Sequence, residues 1–300
     1  MRSLFAPVTR QYITWGIFLA LPLILFVCSY VYPVYYTVRL SFHDWDGLSP
    51  VQKYVGWGNY DVLFNQTRFH NAVLNNIQWL AFYLIVPGIT GLCLALLVDG
   101  KLKGESVYKT VFFLPYIFTP VAVSAIWRWL YVPDGGLFNA MLSSVGLTGS
   151  LQNWLGDPDI VNFSIMLAAL WTSSGFAFIV FLAGLRNIPT EIIEAAKIDK
   201  ANNWTIFWKI TFPHLWPSTI LVVGIFGIDA MRLFDLVWSM SGGGPARASE
   251  VLATQLYDIA FSQFKMGMAS AIGVCQLVLA AVLILPYIIY ITRRVEDMTE

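Results

Sequence analysis

The sequence predicts an all-α, polytopic membrane protein with six transmembrane helices and an extra helix in the loop between the fourth and fifth. Three observations predict this class. First, 57% of the 300 residues are hydrophobic and only 12% are charged, whereas soluble domains carry about 25% charged residues. Second, six apolar stretches, roughly 12–34, 77–98, 110–131, 163–185, 218–240 and 268–292, each exceed the ~20 residues that cross a ~30 Å hydrocarbon core at a helical rise of about 1.5 Å. Third, the polar, charge-mixed insert 186–217 separates the fourth stretch from the fifth, where a short turn would suffice.

The net charge of zero leaves no electrostatic footprint for nucleic acid. Cys28, Cys93 and Cys275 lie within apolar runs, and His43, His70 and His214 are too scattered for ligand spacing. No disulfide framework, metal site or catalytic constellation is therefore expected. The chain contains no Gly-x4-Gly-Lys-Ser/Thr, so it is not its own P-loop ATPase.

In chain order, the first stretch follows Arg2 and Arg10 and is too long for a cleaved leader. It is expected to be interrupted by Pro22 and to end near Pro33. Basic residues then set the orientation. With the N-terminus inside, Arg2, Arg10, Lys101, Lys103, Lys109, Arg186, Lys197, Lys200, Lys209, Arg293 and Arg294 face the cytoplasm. Arg39, Lys53, Arg68, Arg247 and Lys265 face outward, and both termini are cytoplasmic. The chain divides into an N-terminal span with its outer connection (1–76), a core (77–292) and a tail (293–300). The outer connection 35–76 is rich in Trp and Tyr, which favour the membrane–water boundary, so short surface helices are expected there.

The third stretch contains Leu114-Pro115 and Thr119-Pro120. Each proline removes a helical hydrogen bond, which leaves either a simple kink or a break beside a cavity. Pro133–Gly136 and Gly156–Pro158 mark turns in the second outer connection. In the fourth stretch, Trp171-Thr-Ser-Ser-Gly175 suits helix packing or the lining of a route. The fifth carries Asp229, Arg232 and Asp235, each costing about 2.5–3.5 kcal/mol at a membrane centre. On a continuous helix their i, i+3, i+6 spacing keeps them on one side, with Asp229 about 16 Å in from Ser218. They either pair with one another and fix helix packing or face a water-filled cavity.

In the polar insert, Thr190 is the expected N-cap, with Glu191 and Glu194 at the positive end of a helix. Apolar Ile192, Ile193, Ala195, Ala196, Ile198 and Ala201 alternate with charge. Composition alone fits a helix resting on lipid headgroups as well as one gripped by another protein.

Glu194-Ala195-Ala196-x-x-Asp199-x-Ala201, followed by Phe207, Ile210, Phe212 and Pro213, resembles the EAA motif of ATP-binding-cassette importer permeases. That motif usually has Gly where this chain has Lys200, a change expected to be tolerated within a helix. Phe181–Pro189, Val55-Gly56-x-x-Asn59-Tyr60, Phe112–Pro115, Gly136-Leu137-x-Asn139, Gly242–Pro245 and Gly267–Ala271 extend the likeness over nearly the whole chain. Together they resemble the sugar-importer branch, the maltose- and glycerol-phosphate-type permeases.

The resemblance implies a type I importer permease fold in a prokaryotic plasma (inner) membrane, and a transport subunit rather than an enzyme. It implies pairing with a second homologous permease and docking on two ATPase subunits, which carry ATP and Mg while this chain binds no cofactor. Glu194, Ala195, Ala196, Asp199, Ala201 and Pro213 would form the docking element. An extracytoplasmic binding protein would deliver a sugar or sugar derivative, translocated by alternating access. The pathway would lie on the fourth and fifth spans, near Ala169, Ser173, Phe176 and Trp171, and at Asp229, Arg232 and Asp235. The competing reading is an ion-coupled secondary transporter using Asp229 and Asp235, which leaves the helix at 190–201 without a role.

Overall fold

In a bilayer every backbone N–H and C=O must be satisfied within the segment, so long apolar runs form helices. The computed structural model describes residues 6–100 and 104–299, without the side chains of 6–14, 17, 290 and 292–299. Among the residues that set the orientation, Arg2, Lys101, Lys103 and the side chains of Arg10, Arg293 and Arg294 lie outside the described residues. Among the described residues, four helical stretches are long and apolar enough to cross a membrane: Phe18–Leu40, Thr67–Asp99, Val161–Arg186 and Met266–Ile289. The number is six if each of two bent helix pairs counts as one span.

The chain forms two compact units, one of residues up to Asn65 with Leu256–Cys275, the other of Gln66–Gln255 with residues from Gln276 onward. In the first, helix α1 (Ala6–Phe26) passes through a π turn (Val27–Val31) into α2 (Tyr32–Leu40). The expected end near Pro33 is therefore corrected. Pro22 lies inside α1 and Pro33 in the first turn of α2, where a missing N–H costs least. The wider π turn, closed by Tyr32 N–H to Val27 O, carries the backbone past the proline.

The outer connection holds a short antiparallel pair, β1 (His43–Asp44) with β2 (Lys53–Tyr54), and helix α3 (Gly58–Phe64). The aromatic pattern signalled the helix but not the pair. Asn59 donates to Ser41 O at 2.8 Å and to His43 O at 2.9 Å, and the Tyr60 and Ser41 hydroxyls meet at 2.7 Å. In the connecting loop, hydrogen bonds from the Ser49 side chain, then from the Ser49 and Leu48 amides, hold the Asp46 carboxyl down at about 2.

The second unit is built from α4 (Thr67–Asp99), α5 (Glu105–Ile117), α6 (Pro120–Leu130), α7 (Leu137–Ser144), α8 (Val161–Arg186), α9 (Thr190–Ile198), α10 (Asn203–Ile206), α11 (Phe212–His214), α12 (Trp216–Met231) and α13 (Asp235–Ser241). Helices α14 (Leu252–Tyr257) and α15 (Met266–Thr299) each continue from one unit to the other. Helix α4 begins ten residues before the apolar stretch that marks it, because Phe69, Ala72, Asn75 and Asn76 are already buried.

Helix α8 is apolar all round and lies at the centre of this unit, packed by α4, α5, α6, α12 and α13. Small residues let the backbones approach. A Cβ on Gly91 of α4 would sit 2.6 Å from the Phe178 backbone nitrogen, and one on Gly175 of α8 would sit 3.3 Å from the Phe113 Cα. Where α5 begins and α8 ends, Glu105 pairs with both Lys109 and Arg186, the latter at 2.5 Å.

At the opposite end of α8, Asn139 uses its full hydrogen-bonding capacity. It donates to the carbonyls of Pro133 and Gln152 at 2.9 Å each and accepts from the Gln152 amide and the Trp154 indole. The rings of Trp127, Tyr131, Phe138 and Trp154 pack beside it. This accounts physically for the asparagine of the Gly136-Leu137-x-Asn139 signature. The loop after α13 is tied to α4 in the same manner. Arg68 forks onto Glu250 at 2.5 and 2.8 Å, and Asn75 donates to the carbonyls of Ala248 and Glu250.

Candidate functional site

Two helix breaks in the second unit open onto a common space. The first lies between α5 and α6. Pro120 has no N–H, and the residue before a proline is driven out of the helical region. Phe118 and Thr119 are accordingly extended, at ψ 140° and 150°. The Thr119 hydroxyl caps α6 through the Ala122 amide at 3.4 Å, and the two helices meet at 102°. Of the two readings left open for these prolines, the structure adopts the break beside a cavity. Pro115 stays within α5.

The second break follows Met231. Helix α12 ends there, Arg232 caps it, Phe234 leaves the helical region (φ −140°), and α13 starts at Asp235. The Met231 carbonyl freed by the break accepts from Gln276 Nε2 at 2.7 Å. Asp235 in the first turn of α13 complements the positive end of that helix. The expected continuous span 218–240 is thereby corrected: Asp229, Arg232 and Asp235 do not share one helix side.

The three charges nevertheless line one cavity of about 400 Å³. Tyr83 of α4, Tyr116 and Phe118 from the end of α5, Pro120 and Val123 of α6, Thr172 and Ser173 of α8, and Leu233, Phe234 and Leu236 around the second break complete its walls. Asp229, Arg232 and Asp235 are all exposed to this space. Among the described residues no ion pair joins Arg232 to either carboxylate.

The predicted α8 residues separate into three roles. Ser173 lines the cavity with its neighbour Thr172. Ala169 is fully buried in the core. Phe176 packs against Tyr116 at 5.3 Å and Phe226 at 5.9 Å, and Trp171 stacks on Phe118 at 6.2 Å. The expectation that Phe176 and Trp171 form the wall is corrected: they stand behind it and fix the rings that do. Tyr83, Tyr116 and Phe234 were not singled out from sequence. A hydroxyl-bearing ring inside an apolar stretch, as at Tyr83 and Tyr116, is the signal that could have found two of them. Phe234 carries none, because it reaches the wall only through the break.

The arrangement offers hydroxyls, carboxylates and a guanidinium beside flat apolar rings. Such a mixture hydrogen-bonds a polyhydroxylated ligand and stacks on its C–H faces.

The polar insert forms a separate feature. Helix α9 starts with Thr190 in its first turn and is capped by Pro189 without a side-chain hydrogen bond, so the expected Thr190 N-cap is corrected. It ends at Ile198 rather than continuing to Ala201, with Asp199 as C-cap. Lys200 follows at φ 59°, the left-handed position after a helix that glycine favours. Lys200 N–H bonds to Lys197 O and Ala201 N–H to Ala196 O, each at 3.0 Å, which closes a Schellman turn. The glycine usual in the motif thus suits a turn, and the expectation that a helical position accommodates Lys200 is corrected. Lys200→Gly is expected to stabilise this turn by about 1 kcal/mol, read as slower amide hydrogen exchange at Lys200 and Ala201.

No residue of α9 is buried. Glu194, Ala195 and Asp199 are exposed, Ala196 and Ala201 half-buried, and Ile198 is 80% exposed. Pro213 lies exposed on α11, past a second π turn (Phe207–Thr211) of the kind that precedes Pro33. The helix is thus displayed, with Ile193 its apolar residue packed against the core.

The chain is 33% identical over 271 residues to a probable ABC transporter permease of Pyrococcus horikoshii, covering 89% of this chain and 92% of that protein. It is 35% identical over 274 residues to the alpha-glucoside transport system permease AglF of Rhizobium meliloti, covering 87% and 78%. Its fold matches, with a TM-score of 0.81 at 21% identity over 97% and 98% of the two chains, a bacterial alginate ABC transporter solved in complex with alginate pentasaccharide-bound periplasmic protein. The family model for the binding-protein-dependent transport system inner membrane component matches residues 17–295. The chain, with its bent spans and displayed α9, belongs to that family of transport permeases.

Proposed function

We propose that the chain is the permease subunit of an ATP-driven, binding-protein-dependent importer of carbohydrates. The cavity at the two helix breaks carries this reading. Its mixture of hydroxyls, charges and rings matches the donors, acceptors and C–H faces of a sugar, and the alpha-glucoside permease relative supports the same class. Helix breaks suit such a site, because irregular backbone survives at membrane depth where it lines a cavity.

In this mechanism a second homologous permease completes the pathway, and two ATPase subunits bind ATP and Mg. Helix α9 docks into the ATPases through Glu194, Ala195, Ala196, Asp199 and Ala201, with Pro213 setting the approach to α12. Closure of the ATPases on ATP moves the docked helix and swings the spans from inward-open to outward-open. A substrate-binding protein outside the membrane releases its sugar into the cavity. The excess of basic residues in the connections assigned to the cytoplasm supports cytoplasmic termini in a prokaryotic plasma membrane.

The ion-coupled alternative has no support from the family, whose members depend on a binding protein. Vesicles containing the assembled importer are expected to take up sugar with ATP and without an ion gradient. Uptake driven by a proton or sodium gradient alone would sink the proposal. Asp229→Asn and Arg232→Ala should each lower uptake about tenfold, the effect of one lost charge-assisted hydrogen bond, with the ATPases still attached.

A further inference from the structure

We infer that the cavity sorts saccharides by charge, accepting uncharged or amino-bearing ones and rejecting anionic ones such as uronates and sugar phosphates. The inference rests on the carbohydrate reading above and deepens it. The lining contains two carboxylates, Asp229 and Asp235, and one guanidinium, Arg232, with no other charged side chain. Arg128, the other basic residue of this region, donates to the Ser239 carbonyl at 3.4 Å and is not part of the wall.

No ion pair among the described residues joins Arg232 to either carboxylate, and the lining carries two carboxylates against one guanidinium. A ligand in the cavity therefore meets a space with one net negative charge. When ionised, both carboxylates are acceptors only, so they bond to sugar hydroxyls or an ammonium and to no oxygen of an ionised carboxylate or phosphate. The fork of Arg232 suits an anion, but one guanidinium faces two like charges placed against the same ligand. The remaining walls add neutral hydroxyls at Tyr83, Tyr116, Thr172 and Ser173, which do not offset this field. Like-charge juxtaposition is the means by which polar sites reject wrong partners.

Delivery by a binding protein would impose its own selectivity, so the test bypasses it. The permease–ATPase complex in lipid nanodiscs is probed by saturation-transfer NMR with maltose, diglucosamine, digalacturonate and glucose 6-phosphate. Maltose and diglucosamine are expected to bind at least tenfold more tightly than the two anions. The Asp229→Asn/Asp235→Asn pair should shrink that difference at least tenfold, and Arg232→Gln should widen it. Co-purification with the ATPases verifies that each variant is assembled. Anions that bind the wild-type complex as well as maltose would overturn the charge inference while leaving the carbohydrate reading intact. Absence of binding by any saccharide would overturn the carbohydrate reading, and the inference with it.

Discussion

Replacing Glu194 and Asp199 together by alanine is expected to release the ATPase subunits and abolish ATP-driven uptake, while the permease itself still inserts and folds. Both side chains are exposed, and neither makes an ion pair or side-chain hydrogen bond among the described residues. The bonds that close α9 run through the backbone, from the Asp199, Lys200 and Ala201 amides, so alanine preserves them. Alanine is also the strongest helix former, and the isolated fold loses little. At a docking surface the balance differs, because truncating a central contact costs ~2 kcal/mol or more. Two such losses weaken association by a hundredfold or more. Affinity purification of the complex measures the first effect and vesicle uptake the second, with thermal unfolding of the permease as the control. An intact complex transporting at the wild-type rate would remove α9 as the docking element.

The second large effect is expected at Gly91. Leucine there should deprive the protein of a stable, monodisperse folded form. The added Cβ would stand 2.6 Å from the Phe178 backbone nitrogen, and backbone in the middle of α8 cannot swing aside as a flexible side chain can. Overpacking a core costs typically 1–3 kcal/mol, and a backbone clash along the closest helix pair belongs at or above the top of that range. The damage also reaches the cavity, because α8 carries Thr172 and Ser173 on its wall. Gly16→Leu is the matched control, since nothing among the described residues lies within 4 Å of a Cβ at Gly16. Fluorescence-detected size exclusion after graded heating compares the two variants. Equal midpoints for both would refute the close α4–α8 packing.

Much of the fold is legible in the sequence because the bilayer imposes a length. The stretches at 77–98 and 163–185 lie within α4 and α8, and the insert does contain a displayed helix. The break between α5 and α6 is also legible, since Thr119-Pro120 removes a donor and bars the helical region just before it. The break at Arg232 is not. Arg232-Leu-Phe-Asp235 contains neither glycine nor proline, so local preference continues the helix. A tertiary contact, the Gln276 amide on the Met231 carbonyl, receives the group that the break sets free.

The candidate site divides along the same line. Residue type alone drew attention to Asp229, Arg232 and Asp235, because charge inside an apolar stretch is costly enough to need a reason; Ser173, in a hydroxyl patch that suits packing equally well, was added by the family resemblance. Residue type could not tell Phe176 and Trp171, which brace the wall, from Tyr83, Tyr116 and Phe234, which form it. All five are aromatic, and only the packing of neighbouring helices decides which ring faces the open space. The turn at Lys200 shows the same limit, since lysine is an ordinary helix former and the Schellman bonds of Ala201 and Lys200 impose its left-handed backbone.

By itself the sequence determined that this protein spans a membrane, where its charged insert lies and which family signatures it carries. These depend on composition, length and local pattern, all properties of the chain before it packs. The tertiary structure alone decided that two broken helices meet at one cavity and that three charges from a broken segment share it. The physical reason is that freed carbonyls, unpaired charges and aromatic faces take their partners from distant parts of the chain.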